Sequence, residues 1–324
     1  MPSSTSNSDR ALRRATIALL AGLLLISISV EFSTIYIMDR HSLTQIRIDS
    51  QLPAAMKLQQ SSKSARSILV IGNSLLVQGL QTDILASDLG PSYVSGPLLI
   101  ESTSYYDWYY GLRHLFLQRS RPDLVVVGLS VNNLLETRVR GEYFTHTLLE
   151  RRDLFKVAAD IGASHTETSS MFFGTLSRFW GDRNVIRNRI LDGVFPKIQV
   201  LITALTRHPR IEISDDRAVQ DLRPRLMAMK QLCEQHGAQM VILLPPVSEH
   251  SDNSAAAFRL GSELGITVLQ PVRSDTLELS DFSDGTHLTP QAALRFTHAT
   301  AAAIRSVFPP GSKPPSSPTE KWFP

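Results

Sequence analysis

The sequence predicts an α/β domain built on a parallel sheet, carried behind one long apolar helix and interrupted by a helical insertion. Three observations point there. Short valine-rich runs, above all Leu124–Leu129 and Gln239–Leu244, have the length and composition of strands buried on both faces. Segments with helical spacing separate them, and this alternation implies parallel pairing with right-handed crossovers. Near its start the chain also runs from Ala15 to Val30, sixteen residues, without a charge.

With 324 residues, 43% hydrophobic and 19% charged, the chain can bury a sizeable core. A net charge of +3 is too close to balance to argue for a nucleic-acid partner. The single cysteine, Cys233, excludes an intrachain disulfide framework and a cysteine-based zinc site.

Residues 15–38, taken as a helix, reach about 36 Å and cross a bilayer with some tilt. Arg10, Arg13 and Arg14 precede the run, so the positive-inside rule leaves residues 1–14 in the cytoplasm and sends the rest across. A cleaved signal peptide begins the same way, but no small-x-small site follows Val30 and the apolar stretch is long, which favours a retained signal anchor. Glu31 is the awkward residue, since a carboxylate at that depth is costly unless it lies near the outer interface or finds a partner. Residues 39–65 then read as a polar stalk, 66–308 as the globular domain, and 309–324, which hold six of the 18 prolines, as a disordered tail.

Within the domain, Ser67–Ile71 is a short apolar run closed by Gly72, and Leu75–Leu89 carries helical spacing. Leu98–Ile100 is a weaker strand, followed by a helix over Asp107–Leu117 and the strand Leu124–Leu129. Arg225–His236 reads as a helix stopped by Gly237, and Gln239–Leu244 as a strand ended by Pro245 and Pro246. Ala255–Leu264, Ile266–Leu269 and Pro290–Val307 complete a helix, a short strand and a last helix. The stretch from about 141 to 219 has few strand signals and reads as a helical insertion beside the sheet.

Ligand sites in open parallel sheets lie beyond the carboxyl ends of the strands. Three groups stand there: Gly72-Asn73-Ser74-Leu75, Ser130-Val131-Asn132-Asn133, and Asp284-Gly285-Thr286-His287 ahead of the last helix. A serine hydroxyl needs a base to become a nucleophile, and the base needs a partner to hold its tautomer; Ser74, His287 and Asp284 supply these parts. The Ser74 backbone N–H points where an oxyanion would form, and Asn132 adds a side-chain donor. Asp281 is a second acid preceding His287.

These groups, in this order, resemble the SGNH hydrolase (GDSL esterase/lipase) superfamily. The resemblance covers residues 66–308 and implies a flavodoxin-like three-layer α/β/α sandwich. Gly72-Asn73-Ser74-Leu75 matches the first block with Asn in place of Asp. Asn132 takes the oxyanion role of the third block, where Ser130 and Asn133 replace the usual glycine and aspartate, and Asp284 with His287 forms the intact fifth block. The second block should bring an oxyanion glycine near Ser102-Thr103-Ser104, where none is found, leaving a backbone N–H of Ser102 or Thr103 for that duty. Membrane-anchored bacterial members often add or remove O-acetyl groups on envelope or secreted polysaccharides. The resemblance therefore implies a single-pass protein of the cell inner membrane with its catalytic domain on the periplasmic side, an ester-linked acylated glycan as substrate, and envelope polysaccharide machinery as a partner.

Each assignment has a structural competitor. Ser74 also suits a helix N-cap, Asn132 and Asn133 suit the end of a strand, and Asp284 suits the cap of the helix after it. Tyr105 and Trp108, with Asn73 and Asn133, are candidate substrate contacts, although helical spacing turns part of the run Tyr105–Tyr110 toward the sheet. The arginines at 138, 140, 151, 152, 178, 183, 187 and 189 form either an anionic-ligand surface or a solvated face. The histidines lack metal-ligand spacing, and no phosphate-cradling or dinucleotide loop is found, so neither metal nor cofactor is expected. The expected function is a membrane-anchored serine esterase or O-acyltransferase. The alternative is a catalytically silent glycan- or partner-binding subunit of a polysaccharide assembly system.

Overall fold

A computed structural model describes residues 5–60, 65–195, 213–248 and 253–310. Five strands, β1 (Arg66–Gly72), β2 (Tyr93–Leu99), β3 (Leu124–Gly128), β4 (Gln239–Leu243) and β5 (Thr267–Leu269), form one parallel sheet in the order β2-β1-β3-β4-β5. This is the flavodoxin-like doubly wound order, whose crevice opens at the carboxyl ends of β1 and β3. Along β1, Leu69 and Ile71 face one apolar layer while Ile68 and Val70 face the other, so the strand is buried on both sides.

On the first face lie α2 (Leu43–Lys57), α5 (Tyr105–Leu117), α11 (Asp215–Gln235) and α12 (Ser254–Leu264), which contribute Ile48, Leu112, Leu226 and Leu260. On the second lie α3 (Ser74–Gly79), α4 (Thr82–Leu89) and α13 (Pro290–Val307), contributing Leu76, Leu85 and Phe296. The helix expected over Leu75–Leu89 is thus two helices, broken at Leu80 and Gln81. β2 starts five residues before the expected Leu98, and α11 starts ten residues before the expected Arg225.

The expected stalk over 39–65 needs correction. Residues Leu43–Lys57 form α2, with Ile48 and Ala55 fully buried, and α2 packs along β2 at the edge of the sheet. The Gln51 side chain accepts the Leu99 N–H at 2.9 Å and Arg47 donates to the Leu99 carbonyl at 3.1 Å, so the helix satisfies an edge that would otherwise face solvent. Sequence patterning missed this because the apolar face of α2 is narrow and Pro53 interrupts it.

Only Ser42 separates α2 from α1 (Thr5–His41), whose portion Asp9–His41 is long and apolar enough to cross a membrane. Ser42 caps α2 by accepting the Gln45 N–H, and its hydroxyl meets that of Tyr143 at 2.7 Å. Between β3 and β4 come α6 (Val131–Leu135) and then the described part of the insertion, which holds α7 (Gly141–Tyr143), a π-helical turn at Phe144–Leu148, α8 (Leu154–Asp160), α9 (His165–Gly174) and α10 (Arg178–Val194). Residues 196–212 of the insertion and 311–324 of the expected tail lie outside the described residues.

Two glycines govern how closely α3 meets the sheet. Gly72 and Gly128 are register partners at the strand ends. A Cβ on Gly72 would lie 2.7 Å from the Gly128 carbonyl oxygen and 2.7 Å from Leu76 Cδ1, and a Cβ on Gly128 would collide with Leu76. Leu76, fully buried, therefore occupies the space that both glycines leave. Gly128→Ala should lower stability by about 1–3 kcal/mol through overpacking. With Leu76→Ala, itself costing about 2–5 kcal/mol, the double variant should lose less than the sum, measured by urea unfolding.

Candidate active site

The register sets Gly72, Leu99, Gly128 and Leu243 in one row, so the segments leaving β1, β2, β3 and β4 emerge at one rim. Ser74 stands two residues past the end of β1 as the first residue of α3, half-buried. Asn73, not Ser74, caps this helix: its side-chain oxygen accepts the Leu75 N–H at 3.1 Å. That removes the competing role of Ser74 as a cap. Asn73 itself is buried and donates to the Thr103 carbonyl at 3.3 Å, so it braces the rim and does not face a substrate as expected.

The His287 loop folds on itself. Asp284 Oδ1 accepts the N–H groups of Thr286 and His287 at 2.9 and 2.8 Å, while Asp284 Oδ2 meets His287 Nδ1 at 2.7 Å. Gly285, at φ +78°, allows the tight turn, and the Ser248 hydroxyl donates to its carbonyl from beyond β4. With the carboxylate on Nδ1, the tautomer follows: Nδ1 carries the proton and Nε2 is left as an acceptor. Nε2 is buried and has no hydrogen-bond partner among the described residues, which means that Ser74 and His287 are not hydrogen-bonded here. Such bonds in unliganded sites are commonly long and close only with substrate.

Packing draws the loop to α3. Phe282 and Leu288 pair across the loop's base, and both belong with Leu76 and Phe296 to one apolar cluster. A Cβ on Gly79 would touch Leu288 Cδ1 at 3.6 Å, and α13 packs against α3. Leu288, the neighbour of His287, is thereby held near Gly79, the last residue of the helix that Ser74 opens. Asp281 is committed elsewhere, to Arg295 and the Glu278 N–H, which leaves Asp284 as the acid on the imidazole. The hydrogen bond from His287, reinforced by the two backbone N–H groups, pulls the Asp284 carboxyl down to about 2.

Ser102 stands where the sequence resemblance leads one to expect a glycine. Ser102 is exposed and adopts φ +59°, the left-handed region that glycine enters freely and serine only at a cost. Its neighbours hold it there. Thr103 Oγ1 donates to the Ile100 carbonyl at 2.7 Å and accepts the Trp108 indole N–H at 2.9 Å. Asp107, fully buried, accepts the N–H groups of Ser104 and Arg140, both at 2.8 Å, and the Ser104 hydroxyl donates to the Arg138 carbonyl. Trp108 and Tyr105 are buried, which withdraws both as exposed substrate contacts: Trp108 braces the loop, and the Tyr105 hydroxyl donates to the Arg225 carbonyl. The bracing role of Trp108 and Asp107 escaped sequence reasoning, although the Ser104-x-x-Asp107 capping box was visible in it.

Asn132 lies on the first turn of α6, directly beyond β3. Ser130 caps this helix, accepting the Asn133 N–H at 3.3 Å and donating to Asn133 Oδ1 at 2.7 Å. Asn133 is thus part of the cap. Among the described residues no group of three His, Cys, Asp or Glu side chains is placed to hold a metal ion.

No family model matches the chain. No curated protein matches it either. Solved structures do: TesA, at 13% identity over 75% of this chain and 99% of that one with TM-score 0.38; an acetylxylan esterase from Geobacillus stearothermophilus, at 11% over 75% and 95% with TM-score 0.40; and LAE5, an alpha/beta hydrolase enzyme from the metagenome of Lake Arreo, Spain, at 9% over 76% and 97% with TM-score 0.39. Likeness at this level carries no argument about chemistry, which rests on the side chains above.

Two outcomes follow. Because the folded Asp284 carboxyl lies below its ordinary 3.8, the pair's contribution to stability is full above about pH 4 and is lost as pH falls through about 2. Urea midpoints of wild type and Asp284→Asn should differ slightly at pH 5 and converge at pH 2; the half-exposed pair limits the gap to about 1 kcal/mol or less. Trp108→Phe, which keeps the ring and deletes the N–H on Thr103, should slow ester hydrolysis about tenfold or more with a much smaller loss of stability, measured by kcat and a thermal melt.

Proposed function

We propose that the chain is a serine esterase of SGNH type, anchored in a membrane by α1 and acting on ester-linked acyl groups, with O-acetyl groups of an envelope or secreted glycan as the substrate class. The observation that carries the reading is the Asp284–His287 pair with its outward nitrogen unclaimed among the described residues, on the loop ahead of α13, the helix that packs against α3.

In the reaction, Ser74 Oγ attacks the acyl carbonyl while His287 Nε2 takes the hydroxyl proton, and Asp284 stabilises the resulting imidazolium. Negative charge on the carbonyl oxygen is met by the backbone N–H groups of Ser74 and Ser102 and by the Asn132 amide. Collapse breaks the ester C–O bond, and His287 returns the proton to the departing alcohol. Water, deprotonated by His287, then releases the acid; a glycan hydroxyl in its place yields transfer. The exposed run Ala15–Val30 on α1 supports anchoring, with the arginines before it on the cytoplasmic side and the domain on the periplasmic side.

The unmade Ser74–His287 bond gives the silent binding subunit its one supporting observation. Covalent capture separates the readings. Purified full-length protein should hydrolyse p-nitrophenyl acetate and be labelled by a fluorophosphonate, and Ser74→Ala should lose the label and about a thousandfold or more in kcat. Equal rates in both proteins would refute the nucleophile, and an acetylated oligosaccharide formed from added acceptor would identify transfer.

A further inference from the structure

α1 changes its surroundings at Glu31. From Ile17 to Val30 its large apolar side chains are exposed; beyond Glu31 one face, with Thr34 and Met38, is buried against the domain, while Phe32, Tyr36 and Ile37 on the other stay exposed. At the boundary the Glu31 carboxylate accepts the Arg178 N–H at 2.6 Å, the Ser177 hydroxyl at 2.7 Å and the Phe179 N–H at 3.2 Å, so it satisfies the first turn of α10. A carboxylate that looked costly in an apolar helix is thus a fixed attachment between α1 and the insertion.

Around that attachment, Phe172, Phe173, Leu176, Phe179 and Trp180 are between 38% and 57% exposed. Phe173 packs on Phe172 and Trp180, with centroids 5.6 and 5.4 Å apart, and the Arg183 guanidinium lies 4.8 Å over the Trp180 ring. Five large apolar side chains in one place are more than scattered surface residues require. The patch is also continuous with the bare stretch of α1, because its own backbone holds Glu31. Counted from Ala15, the first residue after the arginines, a hydrocarbon core of about 30 Å takes about 20 residues of helix and ends near Thr34, within one turn of Glu31 and the patch. Aromatic rings beside arginine are what that boundary zone accommodates best.

We infer that the α9–α10 junction is a membrane-contacting surface: its aromatic side chains enter the headgroup region of the same bilayer that α1 crosses, and Glu31 sets their depth. The inference rests on the anchoring proposed above. With Ser42 alone between α1 and α2, and α2 fastened to the edge strand, the domain is then held at the membrane in one orientation, not swung on a tether.

The test uses full-length protein in phosphatidylcholine vesicles. In a Trp322→Phe background, emission comes from the buried Trp108 and from Trp180. Lipids brominated near the headgroup end of their chains should quench part of it, and Trp180→Phe should abolish that loss. In parallel, a nitroxide on Leu23→Cys, with the native Cys233 buried, reports whether α1 itself lies in hydrocarbon. An immersed Leu23 with unquenched Trp180 would overturn the contact surface and leave the anchor standing. A Leu23 position in water would remove the anchor and the inference with it. Absent quenching together with disulfide-linked dimers of Phe173→Cys would assign the patch to a second copy of the chain.

Discussion

The close approach of β1 and β3 at Gly72 and Gly128 is the constraint on which the site depends. Without side chains at this pair, Leu76 settles onto the strand ends and α3 lies close against them. Ser74 is therefore delivered to the rim by packing, because the helix it opens has only one depth at which Leu76 fits. Leu76, Leu288 and Phe296 share one apolar cluster and α13 packs against α3, so the segments carrying Ser74 and His287 border the same layer of the core. One apolar layer thus joins two segments more than 200 residues apart in the chain.

The oxyanion side is held by polar contacts. Ser102 occupies a backbone region that costs a serine about 1–2 kcal/mol, and the loop tolerates this because Thr103, Ser104 and Asn73 are tied to Trp108, Asp107, Arg138 and one another. A strained residue persists where its surroundings overdetermine it, and such residues gather where geometry matters to chemistry. The buried polar groups here are well supplied with partners, which makes the network rigid. The His287 loop has the opposite character: Asp284 is half-exposed, its contacts lie within a few residues, and Nε2 keeps its acceptor capacity for an arriving proton.

The insertion and the two N-terminal helices form a third unit that links the domain to the apolar helix. Arg178 connects them, with its backbone on Glu31, its guanidinium on Gln45 at 3.0 Å and on the fully buried Asp182 at 3.2 Å. Ser42 and Tyr143 extend the connection to α2. A segment that interrupts the βα rhythm in sequence is, in space, the part that fixes α1 relative to the sheet.

Buried strands and the helices between them were legible in the sequence, because valine-rich runs on both faces of a parallel sheet and amphipathic helices over it leave local periodicities. So were the pairing of Asp284 with His287, which lies within one turn of chain, and the place of Ser74 at the head of a helix beyond β1. Asn73 as a brace, Trp108 as a support, α2 as the cover of an edge strand and Glu31 as the cap of α10 were not legible. Asn73, α2 and Glu31 join residues between 30 and 148 positions apart, and nothing local in a chain records a contact made across it; Trp108 reaches only five residues back, but the loop that its N–H braces is set by the fold. The sequence by itself determined which groups stand at strand ends. Tertiary packing alone decided which of them face a substrate and which hold the others in place, because burial and partnership are properties of the assembled layers.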